Sequence, residues 1–166
     1  MDQANPAQSN AAPRPDLRNP LHLLAFGFGS GLAPKAPGTF GTLAAIPFLL
    51  LLSLLPLGLY LLALALGLAL GVWVCGRTSS DLGVHDHGGI VWDEFVGLWI
   101  SFIAVPIGWQ SLLLGFILFR LFDILKPWPI GWLDRRVAGG LGIMLDDVLA
   151  GVYAWCVLLL LGFVRL

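Results

Sequence analysis

Apolar residues run almost unbroken over 43–75, 95–118 and 148–164, and polar or glycine-rich blocks separate them at 26–42, 76–94 and 120–147. The first run is too long for one crossing. As a single helix it would span about 50 Å, against a hydrocarbon core of about 30 Å. Pro56 and Gly58 interrupt it, which predicts a helical hairpin with one short arm and one ordinary arm. Pro106 and Gly108 divide the second run in the same way, giving a second hairpin over 95–118 with short arms, shallow or re-entrant in the bilayer. The last run is just long enough to cross once.

Hairpins return the chain to the side it left, so all the polar blocks share one face. The charges agree with that reading. Arg14, Arg18, Lys35, Arg77, Arg120, Lys126, Arg135 and Arg136 fall on the block side, and the two predicted turns carry none. By the positive-inside rule that face is cytoplasmic. The fold class expected is all-α: a polytopic membrane helical bundle embedded over 21–166. Residues 1–20 hold no apolar stretch, which speaks against a cleaved signal peptide and predicts a disordered tail.

Composition sharpens the picture. Of the 166 residues 58% are hydrophobic and 11% charged, and the mean hydropathy is +0.88. A water-facing surface of this size normally carries about 25% charge. A net charge of −1 gives no footprint for nucleic acid. Cys75 and Cys156 sit inside apolar runs without metal-like spacing and read as packing residues.

Acids are scarce, yet beyond the tail every one lies in a polar block: Asp81, Asp86, Asp93, Glu94, Asp123, Asp134, Asp146 and Asp147. Capping and solvation at a helix end account for single acids such as Asp81 and Asp134. The adjacent pairs Asp93-Glu94 and Asp146-Asp147, each read as opening an apolar helix, are harder to explain that way. Brought together, these carboxylates would repel one another as bare anions. A hard divalent cation resolves the conflict, and Mg²⁺ typically bridges a few carboxylates to a substrate phosphate. Arg120 and Asp123 share a helix face at i,i+3, and Pro127 predicts a helix end at Lys126. Arg120, Lys126 and Lys35 are therefore candidates to neutralise phosphate oxygens. His85 and His87 fit acid/base work, phosphate contact, metal ligation or a surface loop. Arg135 and Arg136 equally suit snorkelling to lipid headgroups. The glycines of 26–42, with Thr39 in the same block, make a shaped loop before a helix. Such a loop can cradle an anion, although it matches no nucleotide-binding fingerprint.

Read together, four segments resemble the phosphatidylglycerophosphatase A family: GFGSGLAPKAPGTFGTLAAIPF at 27–48, RTSSDLGVHDHGGIVWDEFVG at 77–97, FRLFDILKPWPIGWLDR at 119–135 and GGLGIMLDDVLAGVYA at 139–154. The resemblance covers nearly the whole chain beyond the tail. It implies Mg²⁺-dependent hydrolysis of phosphatidylglycerophosphate to phosphatidylglycerol in a bacterial inner membrane, by helices arranged around a central one. It also implies a site of Asp93, Glu94, Asp123, Asp146 and Asp147, with His85 as a further catalytic candidate. Asp93, Glu94, Asp146 and Asp147 would hold the metal. Arg120 and Lys126 would bind the substrate phosphate, and the residues themselves add Lys35 and Thr39 as candidates for the same contact. The partner implied is a membrane phospholipid, with homo-oligomer formation left open. An aspartyl-phosphate at Asp123 is the covalent alternative to direct attack by water. Two other readings are a small transporter or channel component, which expects acids inside the apolar runs, and a phosphatidyltransferase, whose spaced Asp/Gly/Arg signature is not found here.

Overall fold

The computed structural model describes residues 14–84 and 87–163. Its elements are α1 (Pro20–Ala25), a 3-10 segment (Gly27–Leu32), α2 (Pro37–Leu52), α3 (Leu57–Leu82), α4 (Trp92–Ser101), α5 (Trp109–Leu125), α6 (Ile130–Asp134) and α7 (Gly139–Leu160). Among the described residues there is no strand. The chain is an all-helical membrane bundle, as the hydrophobic pattern predicted.

Both expected reversals occur, in altered form. The first turn falls at Ser53–Pro56 rather than at Pro56–Gly58, with Pro56 as the N-cap of α3. α2 starts six residues before the apolar run, and α3 continues through Arg77–Leu82. Arg77 pairs with Asp81 one turn on, and Ser80 Oγ donates to Gly76 O at 3.0 Å, so the polar end of α3 stays helical. The arms of this hairpin do not pack mainly on each other. Each packs against α4, which lies between them.

The second reversal is unequal. α4 has ten residues, about 15 Å, too short to cross, whereas α5 has seventeen. Every α4 residue except Asp93 is buried, so α4 is the central helix, with α7 as its most extensive partner. Glycines permit that closeness. A Cβ at Gly151 would overlap the Gly97 carbonyl of α4, and one at Gly140 would overlap the Val72 carbonyl of α3. Indole N–H groups find carbonyls inside the bundle: Trp92 donates to Gly67 O at 3.0 Å and Trp155 to Ile103 O at 2.9 Å.

α3 and α7 are long and apolar enough to cross a membrane, with mean hydropathies of 2.3 and 1.9 over their most apolar windows. Large apolar side chains of α2, α3 and α5, among them Leu51, Leu62, Leu66 and Ile117, face outward as a lipid-contacting surface requires. α7 corrects one expectation. Asp146 and Asp147 do not open it: it begins at Gly139, and the pair sits two turns in. Of the glycines that open this helix, Gly140 faces α3, and a Cβ at Gly142 would overlap the Val137 carbonyl just before the helix.

Candidate active site at the polar end of the bundle

The start of α2, the start of α4, the end of α5 and the first turns of α7 meet around a cleft of about 240 Å³. Its wall carries five carboxylates (Asp93, Glu94, Asp123, Asp146 and Asp147) against two cations, Arg120 and Lys126. Asp93 and Glu94 occupy the first turn of α4, where the helix dipole favours negative charge, and Asp93 Oδ1 accepts the Glu94 N–H at 3.0 Å. Glu94 is buried, and its Oε2 accepts from Arg120 Nη1 and from Thr42 Oγ1, the latter at 2.9 Å. Burial pushes the Glu94 carboxyl up to about 7, against the opposing pull of Arg120.

Arg120 also reaches Asp123 Oδ2 at 2.8 Å, so one guanidinium joins α5 to α4. The αL conformation of Lys126, at the C-cap of α5, turns its ammonium back onto the cleft. There Nζ lies 2.7 Å from Asp146 Oδ2 and 3.1 Å from Asp134 Oδ1. Burial works against that charge, but Asp146 and then Asp134 outweigh it, so the ammonium holds its proton above the usual lysine range.

Glu94, Asp123 and Asp147 each present an oxygen within 4.8 Å of the others. Asp147 is 3% exposed, and its Oδ1 is buried with no hydrogen-bond partner. A buried carboxylate oxygen without a donor is costly, and packing two more carboxylates beside it raises the cost. Only oxygen donors make up this trio, which fits a hard divalent cation such as Mg²⁺.

The phosphatidylglycerophosphatase A family model matches residues 23–162. The chain belongs to that family. Phosphatidylglycerophosphatase A of Escherichia coli K12 is 54% identical over 153 residues, covering 92% of this chain and 89% of the relative. That of Haemophilus influenzae Rd is 53% identical over 149 residues, covering 89% and 91%. A Bacteroides thetaiotaomicron protein, 41% identical over 141 residues (80% of this chain, 87% of its own), bears a provisional phosphatidylinositol-3-phosphatase name. No solved structure matches the chain. Membership in the phosphatidylglycerophosphatase A family makes the protein a phosphatase.

The structure sorts the residues expected in a phosphatidylglycerophosphatase A site. Asp93, Glu94, Asp123, Asp146, Asp147, Arg120 and Lys126 all border the cleft. Asp146 stands apart from the close trio, which takes in Asp123 instead, and is committed to Lys126. Lys35 is exposed and away from the wall, and Thr39 is not on it either. His85 lies outside the described residues. His87 accepts the Gly89 N–H at its Nδ1 at 3.1 Å and packs its ring on Phe26, while Gly88 and Ile90 of the same loop line the cleft.

Thr42 escaped the sequence reading, and so did the contact that Gly38 makes. Thr42, three positions after Thr39, is fully buried against Glu94. Gly38 packs so closely that a Cβ there would overlap Glu94 Oε1. The glycine-rich block was expected to cradle a substrate anion. Its residues Ala36, Pro37 and Gly38 line the cleft, and Gly38 makes room there for the protein's own carboxylate. The spacing Gly38-x-x-x-Thr42 at a helix start was visible, but nothing in the sequence named Glu94 as the partner.

Proposed function

We propose that the protein hydrolyses the terminal phosphomonoester of phosphatidylglycerophosphate, releasing phosphate and phosphatidylglycerol, with Mg²⁺ as its cofactor. The reading places it as a multi-pass protein of a bacterial inner membrane with the cleft on the cytoplasmic side, where the basic residues of the polar blocks gather. One observation carries it: Glu94, Asp123 and Asp147 bring carboxylate oxygens within 4.8 Å of one another, with Asp147 Oδ1 buried without a donor, in a cleft whose acids outnumber its cations. Such a cleft would repel a phosphate monoester, and a divalent cation reverses that sign. The family and the relatives' names supply the substrate.

Glu94, Asp123 and Asp147 would hold the ion, with Asp93 and Asp146 at its margin. Bound there, Mg²⁺ supplies positive charge to the phosphoryl oxygens and a site for oriented water. Arg120 fixes Glu94 and Asp123 at their spacing, and Lys126 sets a positive charge at the rim where phosphate oxygens enter. In the net reaction water forms the new P–O bond, the bond to the glycerol oxygen breaks, and that oxygen leaves with a proton. Although Asp146 and Asp147 lie within a helix long enough to cross, they open onto the same end cleft as Asp93 and Glu94. An ion path through the bundle therefore gains nothing from them.

The test is phosphate release by purified protein in lipid vesicles, comparing phosphatidylglycerophosphate with phosphatidic acid and phosphatidylinositol-3-phosphate. Release from the first alone, abolished by EDTA and restored by Mg²⁺, is expected. Equal release from all three, or full activity in EDTA, would overturn the substrate or the metal reading respectively.

A further inference from the structure

The corner between α5 and α7 is built for contact that the bundle itself does not supply. Trp128 is 80% exposed, and it follows Ile124 and Leu125, exposed at 67% and 66%. Trp132 is exposed next to it, with the Arg136 guanidinium 4.4 Å above its ring, and Arg135 is exposed as well. The corner is also well anchored. Tyr153 Oη donates to Trp128 O at 3.1 Å, the Ile130 N–H donates to Pro127 O at 2.7 Å, and Lys126 ties it to Asp134 and Asp146. Large indoles held outward on an ordered turn mark a contact surface rather than a disordered end.

Depth and charge point to the occupant. Trp109, 76% exposed, starts α5, and Trp128 follows its other end. The seventeen residues of α5 rise about 25 Å, close to the thickness of a hydrocarbon core. Indoles at both ends of one lipid-facing helix belong at the two headgroup levels. At the cleft end Arg136 lies over Trp132 and its chain neighbour Arg135 is exposed, charges complementary to an anionic headgroup. Lys126, two residues before Trp128, lines the cleft itself and pairs with Asp134 of the same corner, which sets the patch beside the cleft.

We infer that Trp128, Trp132, Arg135 and Arg136 form a docking platform for the glycerol backbone and diester phosphate of an anionic phospholipid. The platform presents the substrate's distal phosphate to the cleft past Lys126. This rests on the lipid-phosphatase reading and adds the route by which the lipid arrives. Trp128 and Trp132 are binding residues for the membrane-embedded substrate and take no part in bond breaking.

The test uses full-length protein in vesicles and two double variants, Trp128→Ala with Trp132→Ala and Arg135→Gln with Arg136→Gln. Each is assayed on membrane-embedded phosphatidylglycerophosphate and on glycerol 3-phosphate, a water-soluble ester that carries the distal phosphate but neither the diester phosphate nor the lipid glycerol. The expected result is a KM for the lipid at least tenfold higher, kcat within twofold, and unchanged hydrolysis of the soluble ester. An unchanged lipid KM overturns the platform, as does an equal loss on both substrates. A second readout needs no activity: lipids brominated near the ester carbonyls should quench part of the tryptophan fluorescence, and Trp128→Phe with Trp132→Phe should reduce that part to what Trp109 at the other headgroup level contributes. Quenching equal in wild type and variant overturns the platform. Should wild type release no phosphate from any lipid, the enzymatic reading falls, and quenching still decides the docking.

Discussion

Thr42 Oγ1 lies 2.9 Å from Glu94 Oε2, joining two side chains 52 positions apart in the chain. The bond fixes an acid of α4 from the first turns of α2, and both groups are buried. A hydrogen bond to a charged group contributes about 1.5–3 kcal/mol. Thr42→Val should therefore lower phosphate release tenfold or more and raise the Mg²⁺ concentration for half-maximal rate, with Thr42→Ser restoring most of both. Wild-type rates in Thr42→Val would show that Glu94 needs no such support.

Two glycines on neighbouring helices should behave oppositely. At Gly38 a Cβ meets Glu94 and the Arg120 guanidinium, whereas at Gly58 nothing lies within 4 Å. Gly38→Ala is expected to displace the carboxylate and cut activity at least tenfold. Gly58→Ala, in the first turn of α3, should keep full activity and raise stability by up to about 1 kcal/mol through helix propensity. The comparison is read from rates and melting temperatures in the same detergent.

Removing the Asp147 charge separates catalysis from stability. In metal-free protein that carboxylate is buried beside Glu94 and Asp123, so Asp147→Asn relieves repulsion and should melt no lower than wild type in EDTA. Added Mg²⁺ should raise the wild-type melting temperature, since saturation at about 100 times Kd stabilises by about 2.7 kcal/mol. The variant should show neither that rise nor measurable phosphate release. A Mg²⁺-induced rise of the same size in Asp147→Asn would remove this residue from the ion site.

Arg120 Nη1 serves Glu94 and Asp123 together. An ammonium is a compact point charge without the planar fork of a guanidinium. Arg120→Lys should lower kcat at least tenfold while leaving the protein folded by circular dichroism. Retention of full activity would mean that charge alone suffices at this position.

Much of this was legible in the sequence because it depends on local order along the chain. Runs of apolar residues too long for one crossing, broken by Pro56 and Pro106, predicted the reversals. Lys126 before Pro127 predicted the end of α5. The gathering of acids in polar blocks predicted which end would carry the cleft. The errors share a cause. Gly38 was read as a loop former, because a sequence shows its freedom but not the carboxylate that presses on it. Thr42 was missed for the same reason: two threonines in one helix start are equivalent until a partner lies on one side.

The chain by itself determined that this is a helical membrane protein with its ionisable groups at one end, because apolar length and charge placement are read residue by residue against the thickness of a bilayer. Only the tertiary structure decided which carboxylates share an ion's reach. Asp123 joins Glu94 and Asp147, while Asp146 turns to Lys126, and that choice depends on the crossing of α4, α5 and α7 at glycine contacts. Distances of a few ångströms between residues dozens of positions apart are set by packing, and no linear pattern encodes them.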